Sequence, residues 1–175
     1  MKKETRSLVR LSLLSALAIV LSAAEGALIP LLPPGVHPGI SNTVTMFAAV
    51  ELGLPAALLI AVIKALFALV TRGTVAFGMS LCGGLLSALA MWGLFRAARG
   101  RLGLLGISLC GAFCHNLGQL VLSCLLFGRA ILAYAPVLLL LAIPAGILTG
   151  ALLTACLHII RKRYHYVKKE HNDEA

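Results

Sequence analysis

Five strongly polar side chains interrupt stretches that are otherwise apolar, and they are where this chain could do chemistry. Glu25 and Lys64 each stand alone inside such a stretch, and His115, Asn116 and Gln119 fall within five residues of one another. On a helix His115 and Gln119 lie at i, i+4 on one face, with Asn116 turned about 100° from His115. A further segment, Pro30 to Asn42, reads P-L-L-P-P-G-V-H-P-G-I-S-N. Its prolines stiffen it, and it carries His37 and Asn42 to the end of the first apolar run. In lipid each of these groups needs a hydrogen-bonding partner or a ligand. Together they suit a polar, outward-biased cavity that binds a small solute. Plainer readings stand beside this one. Glu25 and Lys64 can neutralise each other as a structural pair. His115, Asn116 and Gln119 can be interhelical hydrogen-bonding groups, worth about 0.6–2 kcal/mol apiece. The Pro-rich segment can be a rigid turn, and Glu51 a solvated residue at a helix end.

Other chemistries are excluded by residue type. Aspartate occurs once, at Asp173, and the glutamates are at 4, 25, 51, 170 and 174. A paired-aspartate magnesium site for diphosphate chemistry cannot be built from that set. Neither G-x-x-x-x-G-K-[ST] nor G-x-G-x-x-G occurs, which removes the familiar nucleotide loops. Aromatics make up 6% and do not alternate with basic residues, so no nucleic-acid platform is expected. The cysteines at 82, 110, 114, 124 and 156 form no C-x-x-C. Cys110 and Cys114, with His115 adjacent, share a face, but they read as small apolar residues packed between helices. No metal, cofactor or catalytic residue is expected, and no haem or iron–sulfur pattern is present.

The elements that must position these residues are membrane helices. The chain has 175 residues, enough for one domain, of which 60% are hydrophobic and 12% charged, with a mean hydropathy of +0.99. That is too little charge for a water-facing surface. Apart from Glu25, Glu51 and Lys64, charge-free runs fill most of the chain from 11 to 160. They predict an all-α, polytopic fold of six helices at about 8–29, 42–53, 55–72, 75–95, 103–127 and 131–160. Residues 1–7 and 161–175 are expected as tails. The second helix is short, and Gly53-Leu54-Pro55 separates it from the third. Lysine and arginine set the orientation. With six crossings, twelve of the fifteen lie on one side, at both termini and near 96–101. Arg72 and Arg129 lie on the other, and Lys64 lies inside a helix. Both ends are therefore expected on the cytoplasmic side. An alternative is a cleaved signal peptide ending at Ser22-Ala23-Ala24, which leaves five spans.

Small residues recur every four positions at Ser12/Ala16, Ala18/Ser22/Gly26, Gly84/Ala88 and Gly146/Gly150. Such rows let helices approach closely, either within the bundle or against a partner membrane protein. Pro136 and Pro144 should kink the last helix or shift its start.

Two segments carry a family resemblance. Residues 34–45, P-G-V-H-P-G-I-S-N-T-V-T, resemble the P-G-x-K-x-G-[LI]-x-N-[IV]-[VI]-[TS] signature of bacterial membrane proteins called Gx transporters. The same proteins are also labelled heptaprenyl diphosphate synthase component I. Residues 112–119, A-F-C-H-N-L-G-Q, resemble their second signature, A-x-x-H-N-x-G-Q. The similarity runs from about Leu11 to Ile160. The usual loop lysine is His37 here, followed by Pro38, and Thr43 replaces an apolar residue. A histidine would make any anion grip weaker or pH-dependent. The resemblance implies a bundle like the substrate-binding S components of energy-coupling factor transporters. Those bind a vitamin-like solute and couple to a transmembrane subunit and two ATPases. It adds Thr45 to the candidate substrate-binding residues Glu25, His37, Asn42, Lys64, His115, Asn116 and Gln119. It also makes Ser12, Ala16, Ala18 and Ser22 a candidate docking stripe for the coupling subunit.

The leading expectation is thus a solute-binding membrane subunit without catalysis of its own. The family label implies an alternative, a membrane component that assists a separate prenyl synthase subunit. A third reading is a flavin- or quinone-linked electron-transfer subunit.

Overall fold

The computed structural model describes residues 3–28, 39–98 and 101–173. The described residues form α1 (Lys3–Leu28), α2 (Asn42–Glu51), α3 (Leu54–Arg72), α4 (Thr74–Ala98), α5 (Leu104–Phe127) and α6 (Ala135–Asp173). A 3₁₀ turn, Arg129–Tyr134, precedes α6. Five helical stretches are long and apolar enough to cross a membrane: Thr5–Leu28, Leu54–Arg72, Thr74–Ala98, Leu104–Phe127 and Arg129–Ile159. The expected helices are all present, but the second does not reach across. Its ten residues rise about 15 Å, half of a hydrocarbon core about 30 Å thick. It is a half-length helix held inside the bundle, with Thr43, Val44, Thr45, Met46, Ala48 and Ala49 buried.

Glycine sets the junctions. Gly53 (φ 92°) and Gly73 (φ 89°) adopt a backbone region that side chains avoid. Gly53 ends α2, and Pro55 falls in the first turn of α3, where its missing N–H costs nothing. Gly73 alone joins α3 to α4, so these two form a tight hairpin. At the other junction α6 begins at Ala135 rather than 131. Pro136 takes the first turn, and the chain before it winds as the 3₁₀ segment. Pro144 lies within α6 without ending it. Helix also extends through most of the expected tails, from Lys3 and on to Asp173.

Packing uses small side chains. α4 lies between α3 and α5, α5 packs on α6, and α2 touches α1, α3, α4 and α6. The core around α2 is alanine-rich: Ala18, Val44, Ala48, Ala49, Ala57, Ile60 and Ala88. Where α4 crosses α5, a Cβ on Gly118 would sit 2.8 Å from the Cys82 carbonyl oxygen, and one on Gly83 2.8 Å from that of His115. Backbone meets backbone there, as close packing in lipid requires. Gly146 and Gly150 press on Leu109 and Leu105 of α5 in the same way, and Gly84 faces Ala61. The row on α1 divides. Ala18 and Ser22 are buried against their own bundle, which takes them out of the proposed docking stripe; Ser12 and Ala16 remain exposed.

Candidate functional site

The α2–α3 hairpin brings the first two polar groups together by simple register. Asn42 precedes Gly53 by eleven residues and Lys64 follows it by eleven. Two antiparallel helices of equal rise therefore set both residues at one level, about 16 Å from the turn. Lys64 Nζ donates to Asn42 Oδ1 at 2.8 Å.

Glu25 reaches the same level from α1. It accepts the Ser41 backbone N–H at 3.1 Å and the Ser41 Oγ–H at 2.6 Å. Its carboxylate thus caps the N-terminal end of the half-length helix, where the helix dipole favours negative charge. Glu25 and Lys64 are both buried, at 7% and 6% exposure, yet each is hydrogen-bonded to one of the adjacent residues Ser41 and Asn42. The segment is also tied to α6, because Thr149 Oγ1 donates to the Gly39 carbonyl at 3.0 Å.

Around this junction lies a polar cavity of about 90 Å³, lined by Ser22, Glu25, Ser41, Asn42, Lys64, Arg72, Ser80, His115 and Gln119, among others. His115 Nε2 and Gln119 Nε2 lie 3.1 Å apart on α5, as their i, i+4 spacing requires. A second, narrower lobe shares Gly39, Asn42 and His115 with the first and continues past Ser87, Ser108, Asn116 and Thr149. Among the described residues the Ser87 hydroxyl, buried there, has no hydrogen-bond partner. Asn116 has a structural bond as well: its amide donates to the Leu138 carbonyl at 2.7 Å, joining α5 to α6.

Five of the eight expected solute-binding residues therefore line the first lobe (Glu25, Asn42, Lys64, His115 and Gln119), and Asn116 lines the second. Thr45 does not join them; it is 2% exposed in the core and lines neither lobe. His37 lies outside the described residues. Sequence reasoning missed Ser41, Arg72 and Ser87. Arg72 looked like a topology charge at a helix end, but it follows Lys64 by eight residues, about 12 Å along α3, and lines the same cavity. Two cationic side chains and one carboxylate thus surround the first lobe. Glu25 and Arg72 are both within electrostatic reach of Lys64. Among the described residues no group of three or more His, Cys, Asp or Glu could hold a metal ion, and the five cysteines are free thiols.

Membrane-length helices around a small polar chamber define the class: a polytopic α-helical membrane protein with a cavity in its bundle. The family model for heptaprenyl diphosphate synthase component I matches residues 14–156, and the chain belongs to that family. Comparison with curated proteins and with solved structures gives no match.

Proposed function

We propose that this protein is a binding subunit in the bacterial cytoplasmic membrane that takes a small, vitamin- or cofactor-like solute and serves a separate partner, as the S components of transporters do. One observation carries the reading. Glu25, Asn42, Lys64, His115 and Gln119 come from four different helices and meet at one cavity. Membrane helices rarely converge ionisable groups without a pathway or a ligand for them. The chamber has room for a polar head of a solute rather than the whole of it. Its volume of about 90 Å³ is small beside the roughly 300–1,000 Å³ of pockets that enclose a whole small ligand. Both termini are cytoplasmic in this reading, with the cavity on the opposite side, near the outer ends of α1 and α3. The partner is a transmembrane coupling subunit with its ATPases, and Ser12 and Ala16 are the exposed small residues on α1 that suit close contact with it.

The family match favours a second reading: an accessory membrane component of a prenyl diphosphate synthase, with catalysis in another subunit. The single aspartate at Asp173 fits an accessory rather than a catalytic role. Native mass spectrometry of the purified protein tests both. A co-purified water-soluble molecule, lost in Gln119→Ala, supports solute binding. A co-purified prenyl diphosphate, or a stable complex with a soluble prenyl synthase subunit, supports the accessory role and overturns the transport reading.

A further inference from the structure

Charge and donors at the cavity are unequal. Lys64 and Arg72 bring two positive charges and Glu25 one negative charge to the same lobe. Glu25 already directs both oxygens to Ser41, at 3.1 and 2.6 Å. Among the described residues the partner of Lys64 Nζ is the neutral Asn42 Oδ1, and an ammonium carries three N–H donors. Arg72 is exposed and presents a planar five-donor fork suited to oxyanions. The remaining lining adds hydroxyl and amide donors from Ser22, Ser80 and Gln119. Beyond it, in the adjoining lobe, Ser87 is 2% exposed and its hydroxyl has no partner among the described residues. Lys64 and Glu25 are buried and opposite in charge, so the surplus positive charge is that of Arg72 at the exposed rim of the lobe, where it can pair with an anionic group on a ligand.

We propose that the first lobe is an oxyanion site, in which Lys64 and Arg72 take a phosphate or diphosphate group carried by the ligand. The inference rests on the solute-binding reading and adds the chemical class. The cavity of about 90 Å³ takes the head, so the rest of the molecule extends from it past Arg72. Glu25 stays with Ser41 and sets the position of Asn42, which in turn holds Lys64. An oxyanion of this kind has two sources, the head of a solute and the headgroup of an anionic lipid.

The test uses the full chain in nanodiscs of phosphatidylcholine alone, with inorganic pyrophosphate and inorganic phosphate as probes, read by thermal shift and calorimetry. Saturable pyrophosphate binding, weakened by added salt and by at least about tenfold in Arg72→Gln, is the expected result. Lys64→Arg, which keeps the charge, should retain more of the binding than Lys64→Gln. Repeating the titration in discs containing phosphatidylglycerol separates the sources. Competition by that lipid assigns the site to a headgroup, and unaltered binding assigns it to a solute. No saturable binding of either probe at millimolar concentration, or binding indifferent to Arg72→Gln, overturns the oxyanion site. If native mass spectrometry then finds a neutral or cationic molecule that Gln119→Ala releases, solute binding survives and its chemical class is corrected. If it finds none, both fall.

Discussion

At the scale of residues, Glu25 is an anchor for the start of α2. Glu25→Ala leaves the Ser41 N–H and hydroxyl unmade in a buried place, a loss of about 1–3 kcal/mol. Glu25→Gln keeps one accepting oxygen. The melting temperature should therefore fall in both variants, and further in the alanine. Asn116 and Gln119 should separate in the same assay. Asn116→Ala strands the Leu138 carbonyl to which its amide donates at 2.7 Å, so it should lower the melting temperature with or without ligand. Gln119→Ala faces the chamber, where water can replace the side chain, so ligand affinity should drop while the fold survives. Thermal melts of the two variants with and without the co-purified ligand check this; equal ligand affinity in Gln119→Ala and the parent would contradict it. Glu25, Lys64 and His115 were legible in the sequence because a polar group inside an apolar run has few bland explanations. Ser41 was not, since a serine next to a loop looks ordinary until a carboxylate from another helix is seen on it. Thr45 entered through a family signature, and its hydroxyl faces the core instead.

The helices themselves were easy to find, because charges and Gly–Pro junctions bracket them; their lengths were harder. The last helix, expected at about 131–160, runs from Ala135 to Asp173. The close crossing of α4 and α5 supplies a prediction at this scale. Gly118→Val would drive a side chain against Cys82 and Gly83 backbone that lies 2.8–2.9 Å from its Cβ. Overpacking of that kind costs about 1–3 kcal/mol, and a fall in melting temperature with loss of detergent-resistant monomer would register it. Gly93→Ala is the matched control. Nothing lies within 4 Å of its added Cβ, and alanine in a helix interior is favoured by about 0.5–1 kcal/mol. Its melting temperature should hold or rise. A larger loss in Gly93→Ala than in Gly118→Val would remove the packing account.

For the whole molecule, orientation and catalysis are each open to a direct test. The proposed orientation puts residues 98 and 165 on the cytoplasmic side and residue 36 outside. Reporter fusions at those points should read accordingly, and an external signal at 98 would reverse the arrangement. A mature protein beginning at Glu25 would instead mark the first helix as a signal peptide. That outcome would also detach α1 and with it the segment before Glu25 that holds Ala18 and Ser22 against the bundle. The isolated chain should form no prenyl diphosphate product with magnesium and prenyl substrates, because one aspartate cannot bridge the metal. Product formed by this chain alone would refute that.

The hairpin about Gly53 has a consequence for how the protein tolerates changes in length. Asn42 and Lys64 meet because eleven residues separate each from the turn, so the α2–α3 part of the site is measured along the chain like a distance on a folded ruler. One residue added to a single arm displaces its partner by about 1.5 Å and swings it through about 100°, which breaks the 2.8 Å contact without touching either side chain. The same residue added beyond Arg72, in the junction at Gly73, leaves this pair where it was. Counting residues between the polar positions, more than matching the residues themselves, decides whether a related sequence keeps this pair.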